Sequence, residues 1–109
     1  MTRLNLLQGT LDLIVLRALA QEAQHGYAIA QHIRDVSQER LLVEEGSLYP
    51  ALYRMEKKGW IRSHWGTTDK GRRARLYALT GEGRKQLAAE RANWEALTDV
   101  MTRLLRQGE

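Results

Sequence analysis

Apolar positions along the chain recur with a helical period through the first half, switch to a period of two, and return to a helical period at the end. Leu11, Ile14, Val15, Ala18 and Leu19 fall on one helix face, and Leu13 and Leu16 widen it. That pattern predicts a helix at the centre of the core. Thr10 is its expected N-cap, Asp12 suits the positive end of its dipole, and it should end near Ala23, before His25-Gly26. A second helix is predicted over 27–36, with Tyr27, Ala30 and Ile33 on one face and Ile29 and Val36 flanking it. Residues 37–46 read as a connector, in which Leu41-Leu42-Val43 is a candidate edge strand. A third helix is predicted over 48–58. Ser47 would be its N-cap, and Pro50 would sit in the first turn, where no intrahelical N–H is needed. Its apolar face is Leu48, Leu52 and Met55, and Gly59 is the expected left-handed residue just past its end.

The period then changes. Trp60 to Trp65 and Arg75 to Leu79 read as two short strands joined by a turn-rich loop with Asp69 to Gly71 at its tip. Thr80 caps a last helix that can reach Arg106, about 26 residues and about 39 Å long. Leu87, Trp94 and Met101 recur at heptad spacing along it, Leu97 and Leu104 fill the seam between them, and Glu90 interrupts it. The fold class is therefore mainly α with a β-hairpin (α+β). Helix, helix, helix, hairpin is the order of a winged helix-turn-helix, expected over residues 1–79. Residues 80–109 add a long C-terminal dimerisation helix to the same compact unit. A helix this long carries more apolar surface than so small a domain can cover, and a second copy would bury it. The expected dimer contacts are Leu87, Trp94, Leu97, Met101 and Leu104, with Leu6 and Leu7 from the N-terminal segment.

Charge sharpens this picture. The 109 residues carry a net charge of +4. Residues 54–85 alone hold ten basic and three acidic side chains, and the segments on either side are slightly acidic. The basic block falls on the third helix (Arg54, Lys57, Lys58) and on the hairpin (Lys70, Arg72, Arg73, Arg75). In this fold those elements are neighbours, so the block predicts an anionic partner, and double-stranded DNA is the one the architecture suits. Ser47, Tyr49, Pro50 and Tyr53 on the outer face of the third helix are the candidates for reading bases. Dipole compensation alone would account for Lys57 and Lys58 at the helix end, so Arg54, one turn earlier, is the stronger candidate for DNA.

Other chemistry is thinly represented. The chain has no cysteine, and His25, His32 and His64 lack the spacing of a metal site. His25 is expected to close the junction between the first two helices. Gly81-Glu82-Gly83 lacks the third glycine of a phosphate loop, and no catalytic constellation can be assembled. We therefore expect a protein that is not an enzyme and needs no cofactor. The longest apolar run is four residues, Leu13 to Leu16, too short for a membrane span. The N-terminus lacks the build of a signal peptide, so a cytoplasmic location is expected.

The stretch Gly46-Ser-Leu-Tyr-Pro-Ala-Leu-Tyr-Arg-Met-Glu-Lys-Lys-Gly-Trp-Ile61 resembles the recognition-helix signature of the PadR family of bacterial transcriptional regulators. Gly9-Thr-Leu-Asp-Leu13, His25-Gly26-Tyr27 and Arg72-Arg73 with Leu76 to Thr80 resemble further family segments, in the right order. The match is closest to the short acidobacterial-type subgroup. The resemblance implies a homodimeric regulator, usually a repressor, on an inverted-repeat operator. It also implies that Trp94 could face a small aromatic effector between subunits, whereas the seam alone makes Trp94 a dimer-core residue. The competing expectation is a winged-helix protein-interaction module without sequence-specific DNA binding. The basic hairpin and the intact third-helix signature favour DNA.

Overall fold

The computed structural model describes residues 8–108. Leu6 and Leu7, expected at a dimer contact, lie outside the described residues. The elements in order are α1 (Gln8–Gln21), β1 (Gln24–His25), α2 (Gly26–Val36), α3 (Glu45–Lys57), β2 (Ile61–Thr67), β3 (Arg73–Leu79) and α4 (Gly81–Arg106). The strands form one antiparallel sheet in the order β1-β3-β2. The architecture is α+β, as expected, with the long final helix running over the predicted span.

The core collects the inner faces of α1, α2 and α3 under the sheet. Val15, Leu16 and Leu19 from α1, Ile29 and Ile33 from α2, Leu48, Leu52 and Met55 from α3, and Ile61, Tyr77 and Leu79 from the strands are buried together. Several local expectations are corrected. Helix α1 begins before Thr10, so that residue lies inside the first turn, and Asp12 is buried in an ion pair with Arg54. The helix ends at Gln21 because the chain then turns into the sheet. Buried Gln24 donates from Nε2 to the Ala18 carbonyl at 2.8 Å, satisfying an acceptor that the end of α1 leaves open.

The buried stripe of α2 is Gly26, Ile29 and Ile33, and Tyr27, expected inside, is 76% exposed. The Leu41-Leu42-Val43 patch is not a strand; Leu41 and Val43 pack on the core from an irregular connector. Gln38 and Glu39 turn that connector with left-handed φ values of 54° and 64°, and the Ser37 hydroxyl accepts the Leu41 N–H at 3.0 Å. The edge strand is β1 instead, where Gln24 pairs with Tyr77 and His25 with Leu76.

Helix α3 starts at Glu45, so Ser47 lies inside it and Pro50 falls in its second turn. Both Ser47 and Leu48 donate backbone N–H groups to the Glu44 carbonyl, at 3.0 and 2.9 Å. Proline has no donor for the Gly46 carbonyl, but Gly46 is exposed and water can take that acceptor. The helix stops as expected. Trp60 N–H returns to the Met55 carbonyl at 3.0 Å and Gly59 N–H to Glu56 at 3.0 Å, with Gly59 at φ +79°. This is the paired C-terminal closure that a left-handed glycine permits.

Thr80 then joins two helix ends. Its hydroxyl donates to the Gly59 carbonyl at 2.6 Å and accepts the Gly83 N–H at 3.0 Å, capping α4. Gly83 is the buried residue of α4, and Leu87 packs on the core from the next turn. Farther along, Trp94, Leu97, Val100, Met101, Leu104 and Leu105 are between 43% and 71% exposed in the single chain. The predicted seam is thus an uncovered apolar stripe on a helix that lengthens the molecule to 58 × 33 × 22 Å.

Candidate nucleic-acid interface

The outer face of α3 follows from its inner one. With Leu48, Ala51, Leu52 and Met55 buried, Ser47, Tyr49, Pro50 and Tyr53 are left exposed. Tyr49 is held across the helix junction. Its ring lies so close to Gly26 that a Cβ there would meet the phenol oxygen at 2.7 Å. The phenol of Tyr77 is pushed above its ordinary value, chiefly by burial and then by Tyr49. Lys57 places Nζ 5.2 Å from the Tyr53 ring centre, and Lys58 stands 4.6 Å over Trp60, so each cation rests on an aromatic face.

The hairpin is in register with Ile61 opposite Leu79, Ser63 opposite Tyr77, Trp65 opposite Arg75 and Thr67 opposite Arg73. These pairs share one face of the sheet. Near the core that face is apolar and packs toward α3; beyond it, the same face carries Trp65, Arg73 and Arg75. The Arg73 and Arg75 guanidinium groups stand 4.8 and 5.0 Å from the Trp65 ring. Arg75 Nη1 donates to Ser63 Oγ at 2.6 Å, and Ser63 donates to Glu56 Oε2 at 2.7 Å. A three-residue chain therefore fixes the wing against the end of α3. Lys70 and Arg72 are exposed in the 68–72 loop, which closes through Thr68 N–H to the Arg72 carbonyl at 2.8 Å. His25 Nδ1 donates to the Arg75 carbonyl at 2.9 Å, tying the α1–α2 junction to the wing strand.

Arg54 is placed differently from the expectation. Its guanidinium is partly buried and ion-paired with Asp12 of α1, and its Nε is buried without a hydrogen-bond partner. It does not stand with the exposed residues of α3. Burial pushes the Asp12 carboxyl above its ordinary value, and Arg54 and Lys58 offset this only in part.

Three features escaped sequence reasoning. Tyr27 is exposed beside the Gly26–Tyr49 contact, because the small residue that takes its place inside gives no apolar signal. Trp65 at the end of the strand pattern is 53% exposed and flanked by two arginines. The Glu56–Ser63–Arg75 chain depends on hairpin register, which no turn motif announces. Trp94 is not among the residues that line a groove on the helical side of the fold. That groove, of about 400 Å³, lies between α1, α2 and α4, with Leu13, Ile14, Val36 and Leu87 on its walls and Arg17 and Arg91 beside them.

The model of the PadR-like transcriptional regulator family matches residues 15–89, from the first helix through the wing into α4. The chain belongs to the PadR-like family. Among curated relatives of this PadR-like protein, the transcriptional regulator Rv3488 of Mycobacterium tuberculosis is 34% identical over 90 residues, covering 83% of this chain and 80% of that one. A transcriptional regulator from Clostridium thermocellum superposes with a TM-score of 0.83 at 32% identity, covering 91% of this chain and 96% of that one. A PadR family regulator from Clostridium difficile gives 0.75 at 32% identity, with 86% and 96% covered. The PadR-like chain is accordingly a transcriptional regulator with a winged-helix fold. Among its described residues, no helix is long and apolar enough to cross a membrane.

Proposed function

We propose that this PadR-like regulator binds double-stranded DNA sequence-specifically as a homodimer, acting in the cytoplasm as a repressor on an inverted-repeat operator. One observation carries the reading: the Arg75–Ser63–Glu56 chain ties the arginine-bearing face of the wing to the end of α3, so one duplex can meet both. Ser47, Tyr49, Pro50 and Tyr53 would approach base edges in the major groove, and Lys57, Lys70, Arg72, Arg73 and Arg75 would neutralise phosphates alongside. Residues 80–109 would serve as the dimerisation helix, through Leu87, Trp94, Leu97, Met101 and Leu104. The uncovered stripe on α4 supports this assignment, because it is apolar, continuous and unmatched among the described residues of one chain. Trp94 belongs to that stripe first; a small aromatic effector would have to sit against it between subunits.

Fluorescence anisotropy on the duplex upstream of the protein's own coding region tests the reading. Nanomolar binding that weakens steeply with salt, and that unrelated duplex does not reproduce, is the expected result. Equal affinity for both duplexes would leave only a winged-helix interaction module.

A further inference from the structure

Arg54 sits in the last turn of the recognition helix α3, at the start of the basic block, yet its guanidinium is committed inward. Its partner Asp12 belongs to α1 and is 8% exposed, so it lies beyond reach of a duplex. The Arg54 Nε is also buried and unpartnered, so the group is desolvated on more than one side. The other charges acting on Asp12 are Lys58, just past the end of α3, and Glu90 of α4. The pair therefore joins the recognition helix to the first helix, which in turn packs against the long helix. Glu90 interrupts the apolar seam of α4 and is half-buried, with Gln86 Nε2 donating to its Oε1 at 2.8 Å.

We propose that Asp12 and Arg54 form a buried tie that positions the recognition helix on α1, so that Arg54 acts on DNA recognition through the fold and contacts no phosphate. The inference rests on the DNA-binding reading above. An arginine that touched phosphate would contribute to counterion release, whereas one held by a carboxylate in the interior releases nothing. The tie does something that apolar packing alone does not. Leu48, Leu52 and Met55 press α3 against the core, but they permit small rotations about its axis. A directed ion pair near the end of the helix fixes that rotation, and with it the direction in which Tyr49 and Tyr53 point.

Two variants test this. Asp12→Asn keeps shape and removes the charge on a residue that cannot touch DNA. We expect the ratio of operator to random-duplex affinity to fall about tenfold, the scale of one lost base-pair preference, with no change in the slope of log affinity against log salt. The double variant Asp12→Leu/Arg54→Met replaces the pair by apolar side chains, an exchange that folded proteins generally tolerate. Its salt slope on random duplex should equal that of the wild type. A slope shallower by about one would show that Arg54 meets a phosphate and overturn the proposal. Unchanged discrimination in Asp12→Asn, measured well below its melting temperature, would reduce the pair to packing and overturn it equally. Failure of the regulator reading itself would be seen separately, as a wild-type protein without preference for any duplex; the random-duplex slopes would still decide whether Arg54 touches phosphate.

Discussion

Gly83→Ala provides a quantitative test of how α4 is mounted on the winged domain. A Cβ at Gly83 would stand 2.0 Å from the Trp60 carbonyl oxygen and 2.6 Å from Leu79 Cδ1. The leucine methyl can rotate away, but the carbonyl is backbone, held by the Thr80 N–H at 3.0 Å and set at the closure of α3. Since real Cβ contacts essentially never fall under 3.0 Å, helix and carbonyl must separate by at least about 1 Å. That separation breaks the Thr80–Trp60 hydrogen bond, worth about 1 kcal/mol. It also disturbs the Thr80 cap on Gly83, worth about 1 kcal/mol, and the packing of Leu79, worth about 1–2 kcal/mol. Alanine returns about 1 kcal/mol as the better helix former. The net loss is about 2–3 kcal/mol, or roughly 10–20 °C in melting temperature for a domain of this size. Gly81→Ala is the control, two residues earlier on the same helix, where a Cβ meets nothing within 4 Å. It should leave stability unchanged or raise it by a few tenths of a kcal/mol, since the position is at the very start of the helix. Circular dichroism at 222 nm, followed against temperature at one fixed protein concentration, compares the two. A Gly83→Ala melting temperature at or above that of Gly81→Ala would refute the close approach of α4 to the Trp60 carbonyl.

Three further outcomes are expected. Burial raises the folded-state value of the Asp12 carboxyl above the ordinary 3.8, so the folded chain holds this proton to higher pH than the unfolded chain does. Its contribution to stability is complete below the unfolded value and declines as pH rises through the folded one. The melting temperature of wild type minus that of Asp12→Asn should therefore fall with rising pH across the acid range, and a rise would contradict the burial. Replacing Arg72 and Arg73 by alanine should weaken operator and random duplex alike and lower the salt slope by about two; a selective loss on the operator would mean base contact. Trp94→Ala should weaken self-association in sedimentation equilibrium, and an unchanged dimer that had lost only a response to aromatic ligands would give the residue to an effector site instead.

Where periodicity was strong, the sequence was sufficient. Leu11 to Leu19 and β3 are legible because burial repeats there at the period of the element, and α4 because its apolar side chains recur at heptad spacing although most of them are exposed in one chain. The start of α3 was not, because Gly46 and Ser47 have the preferences of a cap while their backbone is already helical. Tyr27 is misplaced by periodicity because a large ring counts as an apolar position and Gly26, which has no side chain, does not, although Gly26 is the residue that admits Tyr49. At the candidate interface, charge alone located the surface but could not sort its members. Arg54 and Arg73 are identical in sequence terms, and only the tertiary position of Asp12, a residue of α1, separates a helix tie from an exposed cation.

The two residues of β1 divide the labour of recognition between parts that can change and parts that cannot. Because the link between α1 and α2 is itself a strand of the wing's sheet, the hairpin cannot swivel without dragging the helical bundle along. The aim of the wing is therefore inherited from the scaffold. Only its reach is left to the 68–72 tip, which pairs with neither neighbouring strand. Lengthening or recharging that tip would alter how far along the duplex the protein extends while leaving the recognition helix pointed where it was. A regulator built this way can acquire a new footprint by insertion in one loop, without renegotiating its core.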